Sequence, residues 1–171
     1  MAHWFDLVVD VPDHPKPGIV FKDITPLIAN GPAFREVIEH FASAVVPMRP
    51  THLVGIESRG FIFGAALAHA LGLGLTLARK PGKLPRQTRK VSYALEYGTD
   101  TLEIHADAFG AGDRVVVIDD VLATGGTASA VSQLVRDSGA ELAGLAFLME
   151  LGFLDGRARL PAVPVVALKI L

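Results

Sequence analysis

The sequence predicts an α/β fold in which helices flank a mostly parallel central sheet and a hairpin forms a flap. Two observations support this prediction. Short apolar runs alternate with segments in which apolar residues recur at helical spacing, as successive strand–helix units require. The run Val-Val-Val-Ile at residues 115–118 contains no polar residue, which is typical of a strand buried on both faces of a parallel sheet.

The first elements are predicted as follows. Residues up to Val20 are expected to be irregular because three prolines in this stretch block a helix. Pro32 can occupy the first turn of a helix, because the apolar residues after it recur at helical spacing. The next predicted elements are a strand, a helix and a strand, at residues 52–56, 61–71 and 75–78.

The middle of the chain predicts the hairpin. Residues 80–90 are polar, basic and interrupted by proline and glycine, so we expect an exposed loop. Residues 91–95 and 101–105 are predicted to pair around a turn that contains Glu96 and Tyr97. The remaining predicted elements are a helix and two strands, at residues 128–135, 142–148 and 165–170.

Composition limits the class of protein. The chain has 171 residues, of which 50% are hydrophobic and 20% are charged, so we expect one folded domain over residues 1–171. A formal net charge of −2 does not favour a nucleic-acid partner. The absence of cysteine excludes disulfides, thiol catalysis and cysteine metal sites.

A nineteen-residue stretch, residues 60–78, lacks Lys, Arg, Asp and Glu and approaches the length of a membrane span. Gly72 and Gly74 divide it and His69 and Thr76 interrupt it, so a buried helix followed by a buried strand is the better interpretation. Residues 1–10 carry two acids and no Lys or Arg, unlike a signal peptide. We therefore expect a cytoplasmic protein without a membrane partner.

The candidate site begins at Asp119 and Asp120, directly after the apolar run. Open α/β sheets bind ligands at the carboxyl ends of their strands. An acidic pair there could instead be a solvated strand end or a metal site, and Gly-Gly often marks only a turn. The following loop offers backbone N–H groups, two hydroxyls and a helix start, which together favour a ribose phosphate. Its residues are Ala123, Thr124, Gly125, Gly126 and Thr127.

This motif resembles the donor site of the type I phosphoribosyltransferases, in which paired acids and a Thr-Gly-Gly-Thr loop hold 5-phosphoribosyl 1-diphosphate. Four further segments, in the order of the family, resemble those of the adenine phosphoribosyltransferases. They are Pro-Gly-Ile-Val-Phe-Lys-Asp-Ile-Thr-Pro at 17–26, Gly-Ile-Glu-Ser-Arg-Gly-Phe at 55–61, Arg-Lys-Pro-Gly-Lys-Leu-Pro at 79–85 and Leu-Glu-Tyr-Gly-Thr-Asp at 95–100. The resemblance covers about residues 13–160.

The resemblance implies the type I phosphoribosyltransferase fold, with a small base-binding hood formed by the N-terminal segment. It implies an enzyme that forms AMP and pyrophosphate from adenine and 5-phospho-α-D-ribose 1-diphosphate. Mg²⁺ would be held mainly through the donor pyrophosphate and water, with no direct protein ligand. A homodimer is also implied, and a mean hydropathy of +0.40 favours a buried interface.

Two alternatives stay open. The chain could transfer the phosphoribosyl group to another purine, such as hypoxanthine, guanine or xanthine. It could also be a sensor that binds purines or the donor without turnover.

The resemblance also implies the residues that bind the base. Adenine would lie between Phe21 and Leu151, as a flat ligand between an aromatic and an aliphatic side chain. Val20 and Lys22 would approach it, mainly through backbone groups. Many relatives have Arg where this chain has Lys22, so a role that needs a guanidinium would be lost here.

The remaining implied residues act on the donor and on the reaction. Glu96 is the acid of the flap that could manage a proton on the purine, and Tyr97 belongs to the lid. The Glu57–Ser58 bond is a candidate for a cis peptide. The implied catalytic residues are Glu96, Arg59, Asp119 and Asp120. The implied pyrophosphate-binding residues are Ser58, Arg59, Arg79, Lys80 and Lys83.

Overall fold

The computed structural model describes residues 3–94 and 99–171, which divide into two compact units, Met1–His40 and Phe41–Leu171. The first unit contains a short 3₁₀ helix (Trp4–Leu7), strand β1 (Val9–Val11), strand β2 (Phe21–Asp23) and helix α1 (Thr25–Ala29). Helix α2 (Gly31–Val45) follows, as the spacing after Pro32 predicted.

The prediction that the chain is irregular up to Val20 was wrong for Val9–Val11. These residues pair antiparallel with β2, and Val11 lies opposite Phe21. The three prolines are confined to the connection between the two strands, where they cost no ladder hydrogen bond.

The second unit is built on a five-stranded sheet in which all neighbouring strands are parallel. Its strands are β3 (His52–Ile56), β4 (Gly74–Ala78), β7 (Arg114–Leu122), β8 (Glu141–Glu150) and β9 (Val165–Ile170). Their spatial order is β4-β3-β7-β8-β9. Residues 115–118 of β7 are fully buried at the centre of this sheet, which confirms the α/β prediction.

Two helices connect the strands, α3 (Gly60–Leu71) and α4 (Gly126–Asp137). The first turn of α3 packs directly on β7, because a Cβ at Gly60 would lie 2.7 Å from the Ile118 carbonyl oxygen. Short 3₁₀ helices follow α2 and β8, at Val46–Met48, Gly152–Leu154 and Gly156–Arg159. No helix in the described parts of the chain has the length and apolarity that crossing a bilayer requires.

The hairpin consists of β5 (Thr88–Ala94) and β6 (Thr99–His105), paired in continuous register. Its first strand begins earlier than predicted, since Thr88 and Lys90 pair with the other strand instead of lying in an exposed loop. Backbone hydrogen bonds of 2.9 and 2.8 Å between Arg79 and Glu103 attach the hairpin to the end of β4. Glu96 and Tyr97 lie outside the described residues.

Candidate active site

A cavity of about 320 Å³ opens at the carboxyl ends of β3 and β7, and the hairpin lines another side of it. Seven of the predicted donor-site residues line this one cavity. They are Ser58, Arg59, Lys80, Asp119, Asp120, Ala123 and Thr127. The topology explains the convergence, because parallel neighbouring strands bring the loops after β3 and β7 to the same edge of the sheet.

The acidic pair lies in the carboxyl-terminal part of β7, which continues past the predicted strand of residues 115–118 to Leu122. Asp120 is 4% exposed and Asp119 is half-buried. The Asp120 backbone N–H donates to Asp119 Oδ1 over 2.9 Å. Both carboxyls are therefore fixed by the strand and face the cavity together.

Burial raises the pKa of both carboxyls. For Asp119 the negative charge of Asp120 adds to the effect of burial and holds the pKa well above its ordinary value. For Asp120 the raised pKa is partly offset by Arg59, whose Nε lies 2.8 Å from Oδ2. Within the described residues Oδ2 makes no hydrogen bond, so this contact is an ion pair only. A ligand that supplies hydroxyl donors or positive charge would therefore stabilise the ionised form of the two carboxyls.

The loop at residues 123–127 surrounds a smaller cavity of about 90 Å³, which all five predicted phosphate-binding residues line. Gly125 has a φ of +80°, a left-handed conformation that disfavours other residues. It is the N-cap of α4, and no side chain caps this helix start. The first N–H groups of α4 are consequently available to an anion.

Arg79 is held away from the cavity by Glu57. Its Nη2 lies 3.2 Å from Oε1 and its Nη1 donates to the Lys83 carbonyl oxygen over 3.3 Å. The Lys80 backbone N–H donates to the same carboxylate over 2.7 Å. Burial by itself would raise the pKa of Glu57, but these contacts lower it by more. The pKa of Glu57 therefore lies below its ordinary value. The Glu57–Ser58 peptide is cis.

The predicted pyrophosphate cations therefore occupy different places. The side chain of Lys80 lines the cavity and forms an ion pair with Asp100 of the hairpin. Arg79 and Lys83 are not among the residues that line it, and Lys83 is exposed. The geometry favours Lys80 over Lys83 as a direct contact for an anion in the cavity.

Sequence reasoning missed two hairpin residues that line the cavity, Tyr93 and Asp100. They lie opposite each other in the hairpin, and the Tyr93 hydroxyl is 3.1 Å from Asp100 Oδ2 and 3.2 Å from Thr127 Oγ1. Burial raises the pKa of Tyr93. The strict pairing of β5 with β6 could have placed both residues on one face of the flap, had the register been known.

The predicted base-binding residues are placed within their own units. Phe21 begins β2 and contacts His14 edge to face, with ring centroids 5.1 Å apart. Lys22 Nζ lies 2.6 Å from Asp10 Oδ1, and Val20 is exposed. In the second unit Leu151 directly follows β8, and its N–H donates to the Leu122 carbonyl oxygen over 2.9 Å.

Comparisons with known proteins identify the family. A family model described as the phosphoribosyl transferase domain matches residues 27–163. The chain is 58% identical over 156 residues to the adenine phosphoribosyltransferase of Syntrophotalea carbinolica, and the aligned residues cover 91% of each chain. The crystal structure of adenine phosphoribosyltransferase from Thermoanaerobacter pseudethanolicus has a TM-score of 0.95 and 47% identity, and covers 97% of this chain and 96% of that one.

A third relative has bound ligands. The Saccharomyces cerevisiae adenine phosphoribosyltransferase, complexed with adenine and an iminoaltritol bisphosphate, has a TM-score of 0.89 and 42% identity, and covers 95% of this chain and 94% of that one. The fold, the site and these matches define a phosphoribosyltransferase, a pentosyl-transferring glycosyltransferase. Within that class, the chain belongs to the adenine phosphoribosyltransferase family.

Proposed function

We propose that this chain transfers the 5-phosphoribosyl group of 5-phospho-α-D-ribose 1-diphosphate to N9 of adenine, giving AMP and pyrophosphate. The observation that carries the proposal is the cavity in which the acidic pair, Arg59 and Lys80 meet two residues of the loop at 123–127, here called the phosphate loop. A ligand with a ribose between two anionic ends matches that sequence of groups. The family membership supplies the base and the reaction.

The chemistry is a displacement at the anomeric carbon. The bond from C1 to the diphosphate oxygen breaks and the oxygen keeps the electron pair, while N9 of adenine forms the new bond from the opposite face. Positive charge develops on the ribose ring, by analogy with glycoside chemistry. No covalent intermediate with the protein is required, so positioning and electrostatics supply the rate.

The acidic pair holds the ribose in this scheme. Asp119 and Asp120 accept hydrogen bonds from the sugar hydroxyls, and their negative charge stabilises the developing positive charge on the ring. Arg59, which pairs with Asp120, lies beside the departing diphosphate and is positioned to balance its charge. Ser58 and Lys80 supply further donors to the same group.

The residues of the phosphate loop bind the 5-phosphate. Backbone N–H groups at the start of α4 and the hydroxyls of Thr124 and Thr127 supply the donors. The positive end of the α4 dipole favours the same anion. Glu96 is proposed to take the proton that adenine loses at N9, and Tyr97 to close the lid over the reaction.

The residues present fit a Mg²⁺ ion that arrives with the donor. In residues 3–94 and 99–171 no three Asp, Glu, His or Cys side chains cluster as a metal cage. Mg²⁺ commonly keeps several waters and binds through substrate phosphates, with at most one or two carboxylates nearby. Asp119 and Asp120, two of the carboxylates that line the cavity, would steady such an ion through water. The ion would neutralise charge on the leaving diphosphate.

For the base we propose that Phe21 and Leu151 each contribute an apolar contact to adenine, and that Val20 and Lys22 contribute backbone groups. The ion pair of Lys22 with Asp10 supports a backbone role, since the ammonium already has a partner. A Phe21→Ala variant is expected to raise the KM for adenine much more than the KM for the donor.

A homodimer in the cytoplasm completes the proposal. The mean hydropathy of +0.40 and exposed apolar side chains such as Phe153, at 77% exposure, support a further buried surface. Light scattering should give twice the mass of one chain, and a mass of one chain would contradict the dimer.

The experiment that tests the function is a panel of bases. The purified protein is mixed with Mg²⁺, labelled donor and one of adenine, hypoxanthine, guanine or xanthine. A nucleotide product with adenine alone is expected. Product with another base would favour the broader purine transferase, and donor binding without any product would favour a sensor.

A further inference from the structure

We propose that Gly156 and Arg157 are positioning residues of the phosphate loop. Gly156 holds the loop through backbone contact, and the side chain of Arg157 fixes the turn that carries Gly156. This inference rests on the proposed function of that loop. Neither residue lines the two cavities of the site, so any effect on a ligand must pass through the loop.

The contact between the two segments is backbone against backbone. Gly156 is buried, and a Cβ there would lie 2.1 Å from the Ala123 carbonyl oxygen and 3.1 Å from the Gly125 nitrogen. The relationship is reciprocal, because a Cβ at Gly125 would lie 2.2 Å from the Gly156 carbonyl oxygen. Neither glycine can therefore accept a side chain unless the loop and the turn move apart.

The turn that carries Gly156 is itself fixed by an ion pair. Arg157 Nε lies 2.8 Å from both oxygens of Glu150, and its Nη2 lies 2.7 Å from Oε2. Glu150 is the last residue of β8 and is 5% exposed. The remaining Nη1 donates to the Val165 carbonyl oxygen, at the first residue of β9, over 2.9 Å. The fork of Arg157 thus ties the turn to two strands of the sheet.

This arrangement explains how a loop rich in glycine can keep one conformation. Gly125 and Gly126 would by themselves leave the backbone free to rotate. Phosphate binding needs the N–H groups at hydrogen-bond distance, and a displacement of about 1 Å can cost about a hundredfold in rate. The Gly156 turn limits that displacement from the side of the loop that faces the protein.

The principal test is Gly156→Ala, with Gly110→Ala as the matched control. A Cβ at Gly110 would be 4.0 Å from its nearest neighbour, so the control adds the same methyl group without a clash. The probe is ribose 5-phosphate, measured by titration calorimetry. We expect its dissociation constant to rise at least tenfold in Gly156→Ala and to stay within twofold of wild type in Gly110→Ala.

The kinetic readout separates positioning from a general loss of structure. In Gly156→Ala the donor KM should rise at least tenfold, while the adenine KM stays within twofold. Arg157→Lys keeps the positive charge but loses the forked guanidinium. Its donor KM should therefore lie between the values of wild type and Arg157→Met. This graded series also tests the inference if Gly156→Ala does not fold.

Two results would overturn the inference. One is a folded Gly156→Ala that binds ribose 5-phosphate as wild type does. The other is an Arg157 series in which donor and adenine KM rise together. A wild-type protein that binds ribose 5-phosphate but forms no AMP would contradict the proposed function instead, and the binding comparison would still decide the role of Gly156.

Discussion

Arg79 is bound to Glu57, with 3.2 Å between Nη2 and Oε1 and 3.4 Å between Nε and Oε2. This pairing changes the expectation for the basic segment at residues 79–83. Arg79 stabilises the start of the loop, whereas Lys80 extends into the cavity. We therefore expect Lys80 to be the cation of this segment that contacts a bound diphosphate.

The first prediction compares Lys80→Gln with Lys83→Gln. A hydrogen bond to a charged group contributes about 1.5–3 kcal/mol, so Lys80→Gln should raise the donor KM about tenfold or more. Lys83→Gln removes the same charge from a residue that does not line the cavity, and it should change the donor KM about twofold or less. Steady-state kinetics with varied donor decides between them, and a larger effect in Lys83→Gln would refute the assignment.

The second prediction concerns the stability cost of the acidic pair. Because the pKa of Asp119 is raised in the folded protein, ionisation of the pair destabilises the fold once the pH exceeds the ordinary carboxyl range. Asp119→Asn should therefore raise the melting temperature at pH 7.5 by about 2–4 °C for each kcal/mol regained. The gain should shrink as the pH falls towards about 4, because the carboxyl is then protonated in the unfolded chain as well as in the folded one.

The same Asp119→Asn variant should lose most of its turnover, because the ribose loses a charged acceptor. Calorimetric unfolding at several pH values and an activity assay are the two measurements. A variant that is both less stable at pH 7.5 and fully active would contradict the account.

The third prediction concerns the link between flap and phosphate loop. Tyr93→Phe removes the hydroxyl that contacts Asp100 and Thr127. The bond to Thr127 is neutral and contributes about 0.5–1.5 kcal/mol, so its loss should raise the donor KM about two- to tenfold. Ser92→Ala removes a hydroxyl from the adjacent position of the same strand, where its partner among the described residues is Thr101 across the hairpin. An equal effect in both variants would mean that the hairpin, and not Tyr93, is responsible.

The fourth prediction concerns Glu103, which is 1% exposed and joins the basic loop to the hairpin. Its carboxylate accepts from the Gly82 N–H over 2.9 Å and from Thr88 Oγ1 over 3.1 Å, and Lys90 Nζ lies 3.2 Å away. Burial raises the pKa of Glu103, but these partners lower it more, and the net direction is downward.

A lowered pKa means that the ionised carboxylate stabilises the fold above the ordinary Glu pKa, and that this stability is lost as the pH falls through the folded value. Glu103→Gln should therefore lower the free energy of unfolding by about 1.5–3 kcal/mol at pH 7. The difference from wild type should shrink progressively as the pH falls below about 4. Urea unfolding at both pH values is the measurement, and a difference that does not depend on pH would refute the role of the charge.

The sheet was predictable from the sequence because its signal is local. Residues 52–56 and 165–170 were predicted with the observed bounds, and the run at 115–118 is the buried centre of β7. Strand β1 was missed, since three residues followed by proline carry little periodicity and depend on pairing with β2. The early start of β5 was missed for a similar reason: its polar residues 88–90 lie in a strand because they pair with residues 103–105 of β6.

The candidate site also has a part that the local sequence predicts and a part that depends on distant contacts. The loop at 123–127 and the acids before it form one contiguous motif, and the family resemblance supplied the order of the other segments. What the sequence could not supply were contacts between distant segments. The pairing of Arg79 with Glu57 and of Tyr93 with Thr127 depends on how loops meet at the sheet edge. The contact of Gly156 with Ala123 likewise carries no local signal.

The most direct test of the central claim is the stoichiometry of the reaction. The wild-type protein is incubated with adenine, 5-phospho-α-D-ribose 1-diphosphate and Mg²⁺, and AMP and pyrophosphate are quantified together. The account predicts equal amounts of the two products, formed only when both substrates are present. Donor that binds but is not consumed, or pyrophosphate released without AMP, would contradict it.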